Sequence, residues 1–274
     1  MTTSSSDQQQ RDLIRDRFTR TAEVFGNFAV ADRAREAERL ASLVGAKSTD
    51  RAVDVACGPG TLALRFARHV RWVCGFDLTP AILARARESA RADSILNLSF
   101  ALADAQSLPI AADSLDIAVT SYSLHHIPHP ERAIAEMARV LKRGGRVGVI
   151  DIFVSEDPRS ADINNRIERF RDPSHTRTLA RSEFMKIFAD AGLRILSEEI
   201  EPHPRMFDHW LSVAGWHRGD AAYEEARRLM ESTIPDDAAG FHPKFAPADP
   251  AKPGEPPDIA MVNTSVYIAA EKVG

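Results

Sequence analysis

The chain has 274 residues, of which 44% are hydrophobic, and a formal net charge of −4 at pH 7. That much apolar material can fill a substantial core, which excludes disorder for most of the chain. Basic residues are scattered among acidic ones and form no basic stripe. This pattern argues against a nucleic-acid partner and favours a small-molecule substrate.

The N-terminal 45 residues are predicted to form a polar tail followed by a helical cap. The first ten residues are polar, and apolar residues then recur at helical spacing across 13–25 and about 30–43. Phe18 and Phe25 belong to the first of these helices. Two interpretations stay open for them: packing against the main domain, or contact with substrate as part of a lid.

Cellular location is predicted from the composition of the chain. The first ten residues contain no apolar leader segment, and no stretch approaches the ~20 apolar residues needed to cross a bilayer. Cys57 and Cys74 fall in predicted buried strands, without the spacing of a disulfide framework or a metal site. We expect a cytoplasmic protein with reduced core thiols, no membrane span and no metal. The sequence does not indicate an oligomeric state.

A strand, a glycine turn and a helix follow one another between residues 52 and 70. The strand carries one acid, Asp54, and the turn is Gly58-Pro59-Gly60. The run at 62–70 has its apolar residues on one helical face. Glycines allow the polar atoms of a ligand to approach the main chain closely. The turn is therefore predicted to hold a nucleotide-like cofactor.

Four further apolar strands alternate with amphipathic helices after this turn. This alternation predicts the α/β class, with a doubly wound, Rossmann-like and mostly parallel sheet. The helix that opens at Pro130 is expected to end at Gly144-Gly145 as a left-handed cap. The strands are predicted at 71–77, 98–103, 116–121 and 146–154.

Polar side chains stand at the ends of three of these strands, namely Asp77, Asp104 and Ser121. Ligands of doubly wound sheets lie at the carboxyl ends of the strands. One such acid alone is as well explained as a helix cap. Three in consecutive strands, at the same edge as the glycine turn, favour a shared binding site.

The C-terminal part of the chain is predicted to add two helices and two strands. The helices are expected at 163–170 and 181–191, and the strands at 193–200 and 259–270. Between the strands lies a helical and proline-rich insertion at about 203–258. Its proline-rich stretch, 241–257, is expected to be a long surface loop, because prolines remove backbone donors and restrict the preceding residues.

Two cofactors compete for the glycine turn. The segment from Gly58 to Ala63 matches the G-x-G-x-x-A dinucleotide pattern, with Asp77 near the position of a ribose-binding acid. Asp54, however, would repel a pyrophosphate, whereas it would attract the ammonium and sulfonium groups of S-adenosylmethionine, which has no phosphates. S-adenosylmethionine is therefore the predicted cofactor. The alternative for Asp54 is a hydrogen-bonding acid without a ligand.

Five motifs follow one another along the chain, at 53–61, 75–80, 103–105, 116–127 and 141–145. With these motifs the sequence resembles the class I S-adenosylmethionine-dependent methyltransferases, and within them the group related to ubiquinone and menaquinone biosynthesis methyltransferases. The resemblance runs from about Phe18 to Gly192 and is weaker over the last two strands. It implies a sheet that ends in an antiparallel hairpin, made here by the strands at 193–200 and 259–270.

The resemblance also implies roles for individual residues. Asp54, Gly58 and Gly60 would hold the methionine end, and Asp77 would bind both ribose hydroxyls. Leu78 would pack on adenine, and Ser121 would lie beside the methyl-donor sulfur. Asp104 and Ala105 would meet the amino and ring nitrogens of adenine. The full cofactor-binding set is Asp54, Cys57, Gly58, Gly60, Asp77, Leu78, Asp104, Ala105 and Ser121.

Candidate catalytic residues are His125 and His126, which directly follow the fourth strand. Either is a possible base for an acceptor that must lose a proton, or the two are a structural hydrogen-bonding pair. Quinone methyltransferases typically have Arg-Asn at these two positions. His175 and Arg177, in the segment 171–177, are further candidates to face the substrate, or they belong to a solvated turn.

The sequence thus predicts an enzyme that transfers a methyl group from S-adenosylmethionine to an O, N, C or S atom of a small molecule. Two alternatives remain open. One is an NAD-dependent oxidoreductase, which the absence of a Tyr-x-x-x-Lys pair after the fourth strand disfavours. The other is a catalytically inactive module that binds S-adenosylmethionine.

Overall fold

The computed structural model describes residues 5–28, 32–248, 250 and 254–274, and the side chains of residues 5, 21–28 and 32 lie outside the described part. The chain forms two compact units. The first consists of Met1–Asp151, Phe184–Glu199 and Val266–Gly274, and the second of Ile152–Glu183 and Ile200–Ser265. The predicted domain boundary at residue 45 and the insertion at about 203–258 stay predictions.

Helices and strands alternate through the first half of the chain, as predicted. The described strands are β1 (Arg51–Val55), β2 (Trp72–Asp77), β3 (Leu98–Leu102), β4 (Leu115–Ser121), β5 (Leu141–Ile152), β6 (Leu193–Met206), β7 (Lys244–Phe245) and β8 (Ile259–Lys272). The described helices are α1 (Ser5–Phe28), α2 (Asp32–Leu43), α3 (Thr61–Phe66), α4 (Pro80–Ala92), α5 (Pro130–Val140), α6 (Pro158–Arg171), α7 (Arg181–Asp190), α8 (Phe207–Val213) and α9 (Ala221–Ser232), with a short 3-10 helix at Leu124–His126.

The strands form one sheet in the order β3-β2-β1-β4-β5-β8-β6, with β7 paired to β8. The pairs from β3 to β5 are parallel, and β7 runs antiparallel to β8. β6 and β8 are neighbours and make the C-terminal antiparallel pair. The predicted doubly wound, mostly parallel sheet is confirmed. Nearly every residue of β1 and β2 is buried, as expected for parallel strands covered on both faces.

Each unit has its own apolar core. In the first unit, residues of α2 and α3 pack with β1 and β4 around Leu40, Phe66 and Val119. In the second unit, α6, α8 and α9 enclose an aromatic cluster that contains Phe207, Trp210, Tyr223 and Phe241. Phe207 and Tyr223 meet edge to face with ring centroids 5.7 Å apart, an arrangement that aromatic quadrupoles favour.

The N-terminal tail is shorter than predicted, because α1 already begins at Ser5. Asp7 lies in the first turn, where a negative charge interacts favourably with the helix dipole. Gln8 Nε2 also donates to Asp12 Oδ1 at 3.0 Å, one helical turn further on. These local polar contacts extend the helix beyond the apolar pattern at 13–25.

The predicted cap at Gly144-Gly145 is wrong. Helix α5 ends at Val140, and Leu141 already has the extended angles φ −76° and ψ 141°. Leu141 pairs with Leu115 of β4 in parallel register, so both glycines lie inside β5. A Cβ on Gly145 would come within 2.8 Å of the Lys142 carbonyl oxygen. Gly145 therefore serves tight strand packing, and Gly144 provides a residue with φ +75° inside the strand; neither ends the helix.

Gly60→Ala is expected to lower the free energy of unfolding by about 1–3 kcal/mol. Gly60 has φ +82°, and a Cβ there would lie 2.8 Å from Phe100 Cζ and 3.1 Å from Ala86 Cβ. The matched control is Gly192→Ala, because Gly192 has φ +71° but nothing within 4 Å of its Cβ position. It should lose only the backbone strain, about 1 kcal/mol. Denaturant unfolding followed by circular dichroism compares them, and equal losses would contradict the packing argument.

Candidate cofactor and acceptor site

The predicted site residues of the first unit lie where the parallel strands end. The register pairs Val55 with Phe76, Asp77 with Leu102, and Ser121 with Ile150. The carboxyl ends of β1 to β4 therefore form one edge. Asp77, Asp104 and Ser121 lie at or just beyond this edge, as the sequence predicted, and Asp54 lies one residue before the end of β1.

The glycine turn is closed by Asp77. Asp77 Oδ2 accepts a hydrogen bond from the Gly58 N–H at 2.9 Å, and its Oδ1 accepts one from the Thr79 N–H at 2.9 Å. Gly58 has φ +53°, and a Cβ there would meet only Ile82 Cδ1, at 3.8 Å. One carboxylate thus holds the loops after β1 and β2, and the space beside Gly58 can admit a ligand.

Asp54 is a buried acid with one unsatisfied oxygen. Its side chain lies in β1 and is 1% exposed. Oδ2 accepts a hydrogen bond from the Ala63 N–H at 2.9 Å, while Oδ1 has no hydrogen-bond partner in the described part of the chain. Burial raises the pKa of Asp54 well above its ordinary range, and the charge of Asp77 raises it further. A cationic ligand group would relieve both effects.

Both cysteines are free thiols. Cys57 is buried beside the turn, and its burial, together with the charges of Asp54 and Asp77, raises the pKa of the thiol well above its usual range. Cys57 is therefore a neutral packing group, since only the thiolate is nucleophilic. Among the residues that the structure describes, no group of three or more His, Cys, Asp or Glu side chains is arranged to hold a metal ion.

Asp104 follows β3 and is bonded at both oxygens. Oδ1 accepts from the backbone N–H of Gln106 at 2.9 Å, and Oδ2 forms an ion pair with Arg11 of α1 at 2.8 Å. Ala105 is buried and Leu78 is half-buried. The contact with Arg11 was not predicted, because Arg11 lies 93 positions earlier in a segment interpreted from its apolar residues alone.

The loop after β4 carries a second carboxylate site. Asp151 of β5 is completely buried, and its Oδ2 accepts from the Leu124 N–H at 2.8 Å. Its Oδ1 lies 2.5 Å from His125 Nδ1. The sequence analysis missed Asp151, although an acid in an otherwise apolar strand near its carboxyl end is the same signal that identified Asp77.

Backbone strain accompanies this loop. Tyr122, directly after β4, has φ +49°, and Ala56, directly after β1, has φ +54°. Non-glycine residues in the left-handed region cost energy and are frequent at functional sites. Thr120 Oγ1 helps to hold the two strand ends together by donating to the Val55 carbonyl at 2.6 Å.

His126 contacts α1. Its ring meets Phe18 edge to face, with ring centroids 5.3 Å apart, and its carbonyl accepts from Gln10 Nε2 at 3.5 Å. Phe18 thus packs at the loop after β4. Phe25 belongs to α1, but its side chain lies outside the described residues.

His175 and Arg177 belong to the second unit. His175 is 4% exposed, and its Nε2 lies 2.8 Å from Asn165 Oδ1. Arg177 forms an ion pair with Glu183 at 2.8 Å. Each has a partner within its own unit, and a role toward substrate stays a prediction.

Comparison with known proteins agrees with the fold and identifies the family. The family described as "Methyltransferase domain" matches residues 52–145. The uncharacterized methyltransferase YcgJ of Bacillus subtilis (strain 168) is 30% identical over 198 residues, which are 72% of this chain and 78% of that protein. The chain therefore belongs to the class I S-adenosylmethionine-dependent methyltransferases, and its cofactor is S-adenosylmethionine.

Two further comparisons agree with this family. The crystal structure of YcgJ from Bacillus subtilis superimposes with a TM-score of 0.75 at 26% identity, covering 88% of this chain and 99% of that one. The ubiquinone/menaquinone biosynthesis C-methyltransferase UbiE of Sinorhizobium fredii is 31% identical over 174 residues, which are 61% of this chain and 65% of that protein. Neither relative favours the NAD-dependent alternative.

The described residues fit S-adenosylmethionine. Asp54 has a buried oxygen without a hydrogen-bond partner, next to a second acid, Asp77, and both carboxyl groups have pKa values raised by burial. Such a site suits a cofactor with positive groups and no phosphate. No helix in the described ranges is long and apolar enough to span a membrane.

Proposed function

We propose that this methyltransferase acts on a small-molecule acceptor whose reacting atom carries a proton, with His125 as the general base. The observation that supports the proposal is the pair formed by His125 Nδ1 and Asp151 Oδ1, 2.5 Å apart. Asp151 is fully buried and fixed from its other oxygen by the Leu124 N–H. A histidine oriented by a buried carboxylate at a strand end is suited to proton transfer.

The carboxylate of Asp151 determines which ring nitrogen of His125 can accept a proton. Asp151 is an acceptor only, so the Nδ1–H of His125 donates to it, and the lone pair of the neutral ring is then on Nε2. When Nε2 takes a proton, the imidazolium stays beside the Asp151 carboxylate, which stabilises the new charge. Asp151 thus orients His125 and supports the protonated state without losing its own charge.

The cofactor residues have separate tasks in this proposal. S-adenosylmethionine supplies a methyl group on a positively charged sulfur. Asp54 and the glycine turn hold the methionine end, Asp77 holds the ribose, and the loop after β3 holds the adenine. Because methyl transfer needs an aligned acceptor, most of the rate is expected from positioning. UbiE acts in quinone biosynthesis. This chain has His125 and His126 at the positions where quinone methyltransferases typically have Arg-Asn. The proposal therefore does not restrict the acceptor to a quinone.

The test is transfer of label from methyl-tritiated S-adenosylmethionine to pooled hydroxyl, amine, thiol and acidic-carbon compounds. Label should appear in a small-molecule fraction with the wild-type protein and fall sharply with His125→Gln. His217→Gln is the control, because His217 is exposed. Label in the wild-type reaction that is unaffected by His125→Gln would remove the base from the proposal, and no label in any pool would contradict the acceptor class.

Cofactor binding is expected to release protons at pH values between the pKa of Asp54 in the complex and its raised pKa in the free protein. The pKa of Asp54 is raised in the free protein, chiefly by burial, and a bound ammonium group would lower it because an opposite charge favours the ionised form. Between these two pKa values, binding deprotonates Asp54, so the affinity rises as the pH rises. Titration calorimetry in buffers of different ionisation enthalpy measures the released protons.

The same titration on Asp54→Asn is the control for this release. The variant should bind more weakly, and only the smaller contribution of Asp77, whose pKa is also raised by burial, should remain. A binding enthalpy that is identical in all buffers for the wild-type protein would contradict the assignment of Asp54 to the cationic end.

A further inference from the structure

The half-buried face of helix α1 is mostly polar. The positions that are half-buried recur every three or four residues, which defines one face of the helix. This face is held by specific polar contacts more than by apolar burial. Its residues are Asp7, Gln10, Arg11, Ile14, Arg17 and Phe18.

These contacts reach the loops after β3 and β4. Arg11 pairs with Asp104 after β3 at 2.8 Å, and Gln10 Nε2 lies 3.5 Å from the carbonyl of His126 after β4. Asp7 Oδ1 lies 3.4 Å from His129 Nε2. Helix α1 therefore lies against two of the strand-end loops that carry predicted site residues.

The pair between Arg11 and Asp104 is partly shielded from water. The side chains are 18% and 22% exposed, so the interaction is screened less than that of a surface pair. Arg11 Nε is buried and has no hydrogen-bond partner in the described part of the chain. Arg11 acts here through its terminal nitrogen Nη2, which contacts Asp104 Oδ2.

We propose that Arg11 is a positioning residue for the cofactor: it fixes the carboxylate of Asp104 from α1 and so couples the docking of α1 to binding of S-adenosylmethionine. This rests on the assignment of Asp104 to the cofactor in the proposed function. Asp104 Oδ1 is already oriented by the Gln106 N–H, and Arg11 fixes Oδ2. A carboxylate held at both oxygens has a fixed orientation before the cofactor binds. Such preorganisation lowers the entropy cost of binding.

The test compares Arg11→Ala, Arg11→Lys and the control Arg15→Ala by calorimetry with S-adenosylhomocysteine. Arg15 is on the same helix, 46% exposed, and pairs only within the helix with Asp12 among the ion pairs described. Arg11→Ala should weaken binding roughly ten-fold. Arg11→Lys should recover part of the loss, because lysine keeps the charge but not the planar fork. Arg15→Ala should bind as the wild type does.

Two further readouts separate positioning from a structural role. The KM for S-adenosylmethionine should rise in Arg11→Ala with kcat unchanged within two-fold, and bound cofactor should slow hydrogen exchange of α1 in the wild type but not in Arg11→Ala. Unfolding midpoints check that the variants fold. Unchanged affinity in Arg11→Ala would overturn the proposal, and tighter binding would show that Arg11 competes with the cofactor. Affinity is read without an acceptor, so failure here is distinct from failure of the proposed base.

Discussion

Asp77→Ala is expected to weaken binding of S-adenosylmethionine by at least about 100-fold. The substitution leaves the N–H groups of Gly58 and Thr79, now bonded to Asp77 at 2.9 Å each, without their acceptor. This loss affects the free protein and the complex alike, so the fall in affinity is expected from the predicted bonds of Asp77 to the two ribose hydroxyls. A hydrogen bond to a charged group contributes about 1.5–3 kcal/mol, and each 1.4 kcal/mol is a factor of ten. Titration calorimetry measures the affinity.

Two companion variants make this result interpretable. Asp77→Asn keeps one acceptor oxygen, so its loss of affinity should lie between those of the wild type and Asp77→Ala. Asp190→Ala removes an acid that is 65% exposed and pairs only with Lys186 among the described ion pairs, and it should bind normally. Affinity within three-fold of the wild type in a folded Asp77→Ala protein would show that Asp77 organises the loops without holding the cofactor.

Asp151→Asn is expected to lower kcat about 100-fold, the usual order for loss of a general base, and to leave cofactor affinity within two-fold. An asparagine at this position has one acceptor oxygen and one amide donor. If the oxygen accepts from the Leu124 N–H, the amide faces His125 Nδ1 and donates to it. The proton of His125 then sits on Nε2, which can no longer accept one. The opposite orientation brings the amide against the Leu124 N–H.

The measurement is initial rates of methyl transfer with the acceptor found in the labelling experiment, alongside cofactor titration and unfolding midpoints. Asp190→Asn is the control, because it makes the same substitution at an exposed aspartate. A fall in kcat with normal affinity and folding fits an orienting role for Asp151. A kcat within three-fold of the wild type would remove both Asp151 and His125 from the chemistry.

Local patterns in the sequence were sufficient for most of the fold. The apolar strands, the glycine turn and Pro130 at the start of α5 are signals contained within a few neighbouring residues. They led to the correct class of sheet and to strand-end acids at a common edge. The boundary between α5 and β5 was wrong because pairing of Leu141 with Leu115 overrides the local preference of two glycines.

The most informative contacts of the candidate site could not be read from local patterns. His125 meets Asp151 across 26 positions, and Arg11 meets Asp104 across 93. Periodicity describes which face of an element is buried, but it does not say which polar side chains of two distant elements meet. Asp151 had a detectable signal as an acid in a buried strand, whereas Arg11 had none.

The first unit is assembled from three separate segments of the chain. This arrangement affects when the unit can fold during synthesis. Its final segment, Val266–Gly274, supplies four residues that are completely buried, Tyr267 to Ala270. Tyr267 lies beneath the guanidinium of Arg39, 4.3 Å from the ring centroid. Domains usually fold in order of emergence from the ribosome. Here the first unit cannot close its core until residues 267–270 have left the exit tunnel.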